Sequence, residues 1–171
     1  MDYRLRQALP EDEAWQFAIY ASARAAELAR TGWPPAQCEA FARQQHHAQQ
    51  QHYARHFPGS VCHLILVDAD AGETVAGRLW LDERDDRLHI LDIALLPAWR
   101  GRGLGTRCLL DLAERAEASQ RALGIQVEIH NPARRLYERL GFIADGQSQG
   151  LYQAMLRPAG ACPAHTEECL P

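Results

Sequence analysis

Apolar and polar positions along the chain mark out seven strand-like and four helix-like segments. Residues 2–8 alternate Tyr3, Leu5 and Gln7 against Arg4, Arg6 and Ala8, which predicts a short edge strand. Pro10-Glu11-Asp12-Glu13 is a turn and an acidic helix start, where carboxylates suit the helix dipole. Residues 14–30 carry Phe17, Tyr20 and Leu28 at helical spacing, until Thr31-Gly32-Trp33-Pro34-Pro35 stops the helix. A second helix is predicted over about residues 36–56, broken by Phe57-Pro58-Gly59-Ser60. Strands follow at 61–67 and 74–81, the latter with Val75, Leu79 and Leu81 on one parity, and 68–73 is the turn between them. Residues 82–87 turn into an apolar, β-prone run over 88–96 that Pro97 ends. A helix over about 104–122 places Leu104, Cys108, Leu112 and Ala116 at four-residue steps, which predicts its core face. Gly124 opens a strand over 125–130. Asn131 caps a helix with Pro132 in its first turn, and Gly141 closes it in the left-handed conformation. Residues 142–145 and 151–157 form the last strand pair.

The segment around which these elements are arranged is Arg100-Gly101-Arg102-Gly103-Leu104-Gly105-Thr106, a glycine-rich turn between a strand and a helix start. Glycine admits positive φ and lets a ligand approach the backbone, and the N–H groups at a helix N-terminus favour an anion such as phosphate. Residues 100–106 therefore predict a pyrophosphate cradle. A P-loop needs Gly-Lys-Ser/Thr, and the chain has no lysine, all 18 basic residues being arginine. A dinucleotide fingerprint needs G-x-G-x-x-G early in a βαβ unit, whereas here the spacing is G-x-G-x-G and lies late in the chain.

Arg100-x-x-Gly103-x-Gly105 resembles the acetyl-CoA signature of the GCN5-related N-acetyltransferase (GNAT) family. Ile93-Ala94-Leu95-Leu96-Pro97 resembles that family's fourth strand. Asn131-Pro132-Ala133-Arg134-Arg135-Leu136-Tyr137-Glu138-Arg139-Leu140-Gly141-Phe142 resembles its Asn-x-x-Ala-x-x-Leu-Tyr-x-x-Leu-Gly-Phe segment. The resemblance is close over about residues 60–157 and holds in outline before that. It implies an α/β (α+β) fold with a mixed, mostly antiparallel sheet of about seven strands and about four helices on its faces. It also implies acetyl-CoA as co-substrate and a small-molecule or peptide amine as acceptor, with a homodimer possible.

The resemblance assigns roles as well. The backbone of Ile93, Ala94 and Leu95 pairs with the pantetheine arm like an added strand, and a β-bulge opens the slot. The backbone of Arg100, Gly101, Arg102, Gly103, Leu104, Gly105 and Thr106 holds the pyrophosphate, with the side chain of Arg100 or Arg102 near phosphate. Asn131 either binds the cofactor arm or only caps its helix. Tyr137 protonates the departing thiolate, against the plainer reading of a core aromatic. An amine is almost wholly protonated at pH 7, with only about one molecule in a thousand neutral, so a base or a water path must take a proton. Asp92 ranks first for that task, ahead of Glu128 and His89, and a structural partner for an arginine is its alternative. The rival to an enzyme is a CoA-responsive sensor module with little turnover.

Composition narrows the remaining possibilities. With 171 residues one domain is the natural count, over residues 1–157, with 158–171 as a mobile tail rich in Pro, Gly and small residues. Apolar residues at 47% and charged residues at 23% fit a globular protein in water. No apolar run approaches a bilayer span, and the N-terminus lacks the apolar region of a signal peptide. A cytoplasmic protein without a membrane partner is expected. The net charge of −4 argues against nucleic acid. Cys38, Cys62, Cys108, Cys162 and Cys169 are odd in number and scattered, which predicts reduced thiols. The Gln- and His-rich tract over residues 41–53 reads first as a solvated helix face and second, through the resemblance, as a wall of the acceptor pocket. His52 and His56 are spaced i, i+4 with no third ligand evident, and Cys162, His165 and Cys169 lie in the tail, so no metal is expected.

Overall fold

The computed structural model describes residues 2–69, 72–129, 131, 133–146, 150 and 152–160. In chain order the elements are β1 (Tyr3–Gln7), α1 (Glu13–Ala29), α2 (Pro35–His56), β2 (Val61–Ala69), β3 (Gly72–Glu83) and β4 (Arg87–Leu95). There follow α3 (Leu104–Ala118), β5 (Ala122–Glu128), α4 (Arg134–Arg139), β6 (Ile143–Ala144) and β7 (Tyr152–Arg157). Short 3-10 turns at Pro10–Asp12 and Pro97–Trp99 precede α1 and the glycine turn. The strands form a seven-stranded sheet in the order β1-β2-β3-β4-β5-β7-β6. β4 and β5 pair in parallel, while β1–β2, β2–β3, β5–β7 and β6–β7 pair antiparallel. The mixed, mostly antiparallel sheet expected from the sequence is thus present.

Packing divides the chain into two compact units, Met1–Asp82 with Asp92–Gly105, and Glu83–Leu91 with Thr106–Pro171. In the first, β1 pairs with β2 from Tyr3↔Val67 to Gln7↔His63, and β2 pairs with β3. Ile19 of α1 packs with Leu64, Leu66 and Val75, and Ala8, Ala94 and Leu96 close over them. The strands run further into the turn predicted over 68–73 than expected, with Asp68 opposite Glu73 and Ala69 opposite Gly72. Gly72 has a φ of 102°, a conformation open to glycine. Consecutive residues Ile65 and Leu66 pair with Gly77 and Val75, so Ala76 is an extra residue in β3, a β-bulge.

In the second unit, Arg87–Ile90 of β4 lies parallel to Ala122–Ile125 of β5 and the ladder ends there. The face of α3 predicted to be core, Leu104, Cys108, Leu112 and Ala116, is buried. Several boundaries differ from expectation. α3 stops at Ala118, because Gln120 takes a φ of 54°, the Arg121 N–H donates to the Ala116 carbonyl and the Ser119 hydroxyl donates to those of Arg115 and Ala116. This is a Schellman stop built without glycine. β5 accordingly begins at Ala122, whose N–H donates to Asp86, and Gly124 sits inside the strand. α4 is also shorter than predicted. It closes as expected at Gly141 (φ 85°), with the Phe142 N–H donating to the Tyr137 carbonyl and the Gly141 N–H to that of Glu138. Pro132, His130, Leu151 and residues 161–171, which include Cys162, His165 and Cys169, lie outside the described residues.

Candidate functional site

The glycine turn is built from three local features. Pro97 starts the 3-10 turn that ends β4, Gly101 and Gly103 take φ of 70° and 81°, and Leu104 starts α3 with a side chain only 1% exposed. A Cβ on Gly101 or Gly103 would meet nothing within 4 Å, so the backbone there is open to a ligand. Gly105 and Thr106 lie in the first turn of α3, where helix N–H groups have no partner within the helix. Arg100 is exposed, yet its side chain is anchored to the protein. Its Nε donates to the Leu95 carbonyl at 2.8 Å and its Nη2 to the Ser22 hydroxyl at 3.0 Å, tying the turn to the end of β4 and to α1. The guanidinium of Arg102 lies over the Trp99 ring at 5.4 Å.

The strand segment ahead of this turn is neither core nor surface, since residues 91–96 are all half-buried. It is held on one side by β3. The Leu96 N–H donates to the Ala76 carbonyl at 2.8 Å, and Gly77 packs on the backbone of Ala94 and Leu95. The bulge residue Ala76 and the glycine after it therefore set the line of Ile93, Ala94 and Leu95.

Asp92, at the head of that segment, pairs with Arg78 of β3. Both contacts fall on Oδ2, from Nε at 2.8 Å and Nη2 at 2.7 Å. Arg78 is 1% exposed, and a charge buried that deeply requires a partner. The rest of its guanidinium is satisfied from the helices: Gln49 Oε1 accepts from Nη2 at 2.7 Å and His46 Nε2 lies 3.2 Å from Nη1. His46 is 2% exposed. Burial, and then the Arg78 cation, hold its pKa below the usual histidine value. The solvated-face reading of the Gln- and His-rich tract therefore fits His47 and His52, which are exposed, and fails at His46 and Gln49. The available signal was an arginine inside the apolar run of residues 75–81, which demands an acid and further acceptors.

In the second unit, Tyr137 is 6% exposed on α4 and its ring meets that of Phe142 edge-on, 5.7 Å between centroids. Asn131 Oδ1 accepts the Ala133 N–H at 2.9 Å, and the Asn131 carbonyl accepts that of Arg134, so its side chain holds the turn into α4. Glu128 lies at the end of β5, with the Tyr152 hydroxyl 3.4 Å from its Oε1. His89 sits on β4 beside Gly124 of β5. Among the described residues no group of three or more His, Cys, Asp or Glu side chains is placed to hold a metal ion, and no helix is long and apolar enough to cross a membrane.

A family model described as "Acetyltransferase (GNAT) family" matches residues 23–142. A mycothiol acetyltransferase of Thermobifida fusca is 34% identical over 82 residues, which is 46% of this chain and 24% of that protein, so the match spans about a quarter of the relative's length. Among solved structures, the PaiA N-acetyltransferase of Thermoplasma acidophilum in complex with coenzyme A superposes with a TM-score of 0.65 at 15% identity, covering 92% of this chain and 99% of that one. The ribosomal-protein-S18-alanine N-acetyltransferase of Escherichia coli gives 0.63 at 16%, covering 98% and 100%. An acetyltransferase from Thermus thermophilus gives 0.64 at 20%, covering 92% and 97%. At these identities the structural likenesses establish the fold.

Proposed function

The chain belongs to the acetyltransferase (GNAT) family, and on that premise we propose that it transfers acetyl from acetyl-CoA to a primary amine by direct attack. The observation that carries this reading is the turn at residues 100–106. Two glycines at positive φ leave open backbone immediately before the N-terminus of α3, which suits a pyrophosphate. Ile93, Ala94 and Leu95, half-buried and backed by Gly77, supply the backbone for the pantetheine arm.

In the reaction the amine nitrogen forms a bond to the thioester carbonyl carbon, and the carbon–sulfur bond breaks. We assign Asp92 to take the proton the amine must lose, directly or through water; its Oδ1 is not used by Arg78. A backbone N–H of the β4 segment steadies the developing oxyanion. The Tyr137 hydroxyl gives its proton to the departing thiolate. Asn131, with its oxygen on the Ala133 N–H, presents its amide nitrogen to the cofactor arm.

Calorimetric titration with acetyl-CoA, followed by CoA release against a panel of primary amines, tests this reading. Binding with amine-dependent release is the expected result. Binding without release from any amine makes the chain a CoA-responsive sensor, and absence of binding overturns the cradle.

A further inference from the structure

Helix α2 is attached by polar contacts where an apolar stripe would be expected. Of its 22 residues only Ala42 and His46 are buried. The residues on its inward face, Ala42, His46, Gln49 and Tyr53, follow helical spacing. His46 and Gln49 meet the guanidinium of Arg78, and the Tyr53 ring meets that of Trp80 edge-on at 4.8 Å. The same guanidinium holds Asp92 of β4, and the Gln16 carbonyl of α1 lies 3.5 Å from Nη1. One buried arginine thus joins α1, α2, β3 and β4.

A guanidinium only donates, so His46 Nε2 is the acceptor and the ring proton resides on Nδ1. That proton faces Glu13 of α1, whose Oε1 is 3.4 Å away. The charged groups around His46 are Arg78 from β3, Glu13 from α1, Asp92 from β4 beyond Arg78, and His47 on its own helix. Protonating His46 removes the acceptor and sets a second cation against Arg78.

We propose that Arg78 and His46 are positioning residues for Asp92, so that the docking of α2 sets the carboxylate at the head of the Ile93, Ala94 and Leu95 segment. This rests on the acetyltransferase reading and extends it, since it makes the state of the Gln- and His-rich helix a determinant of proton removal from the amine.

The test compares His46→Phe, His46→Gln and Arg78→Lys with the unaltered chain. The readouts are kcat and KM for the most active amine across pH, acetyl-CoA affinity by calorimetry, and melting temperature. His46→Phe is expected to lower kcat by roughly tenfold or more, the scale of a displaced catalytic group, with acetyl-CoA affinity within about twofold. His46→Gln keeps an acceptor near the place of Nε2; it restores kcat and removes the part of the acid-side fall in kcat that comes from His46, leaving the part due to the amine and to Asp92 itself. Arg78→Lys keeps the charge but not the fork and follows His46→Phe. Equal losses in His46→Phe and His46→Gln, or none in either, overturn the proposal. If His46→Phe does not fold, Gln49→Ala removes the other α2 acceptor from a half-buried position and replaces it in the comparison.

If no amine releases CoA, the acetyltransferase reading has failed, and the positioning claim is read on the Asp92 carboxyl carbon resonance. Displacement in His46→Phe with return in His46→Gln supports it. An unmoved resonance overturns it.

Discussion

A Cβ placed on Gly77 would lie 2.3 Å from the Ala94 carbonyl oxygen and 2.7 Å from Leu95 Cδ2. The bulged strand β3 thus presses its backbone against the segment that the proposed reaction uses for the pantetheine arm. Gly77→Ala forces one of the two strands to move. The expected loss is about 1–3 kcal/mol of stability, together with weaker acetyl-CoA binding. Gly59→Ala is the control: its Cβ would meet only Asp82 Oδ1, at 3.7 Å, and its effect should stay within about 1 kcal/mol. Denaturant midpoints and calorimetric titration of both variants check the contrast.

Gly103 presents the opposite case. Space is free around it, but its φ of 81° strains any other residue, by about 1–2 kcal/mol for alanine. Gly103→Glu adds a carboxylate where the reading places a pyrophosphate. Gly103→Ala should weaken acetyl-CoA binding by about tenfold and Gly103→Glu should abolish it. Both should retain the folded far-ultraviolet circular dichroism spectrum. Micromolar affinity in Gly103→Glu would remove the cradle.

Tyr137→Phe keeps the ring against Phe142 and deletes only the hydroxyl. Turnover is expected to fall by about a hundredfold, within the range of general acid catalysis, with acetyl-CoA affinity nearly unchanged. Steady-state kinetics beside calorimetry decide it. An unchanged kcat would return Tyr137 to the core.

Acid should loosen the first unit through His46. Its pKa is depressed in the fold from an ordinary value of 6.5, so below that pH the unfolded chain binds the proton first. The stabilisation from keeping the ring neutral is complete above about pH 6.5, falls as the pH drops toward the folded value, and levels off beneath it. His46→Gln removes that component. Melting temperatures of the two proteins, compared between about pH 7.5 and pH 5, should differ in slope, with the variant flatter.

Local chemistry made most of the fold legible. Leu104, Cys108, Leu112 and Ala116 repeat at the helical period and all four are buried; Gly141 closes α4 at positive φ; Pro97 ends β4. Each of these depends on residues within a turn or two of itself, so a one-dimensional pattern records it. The end of α3 was hidden for a local reason, because Gln120 adopts the left-handed conformation that glycine usually marks.

What only the tertiary structure decided is of another kind. Arg78, Asp92, His46 and Gln49 look unrelated along the chain, and the tract holding the last two reads as solvated. They become one network because β3, β4 and α2 meet, and a guanidinium removed from water must find acceptors wherever the neighbouring elements supply them. Gly77 is equally silent in sequence: its lack of a side chain matters only because β4 passes within contact of it. Periodicity and turn chemistry are properties of neighbours in sequence, whereas the pairing of a buried charge and the closeness of two backbones are properties of neighbours in space.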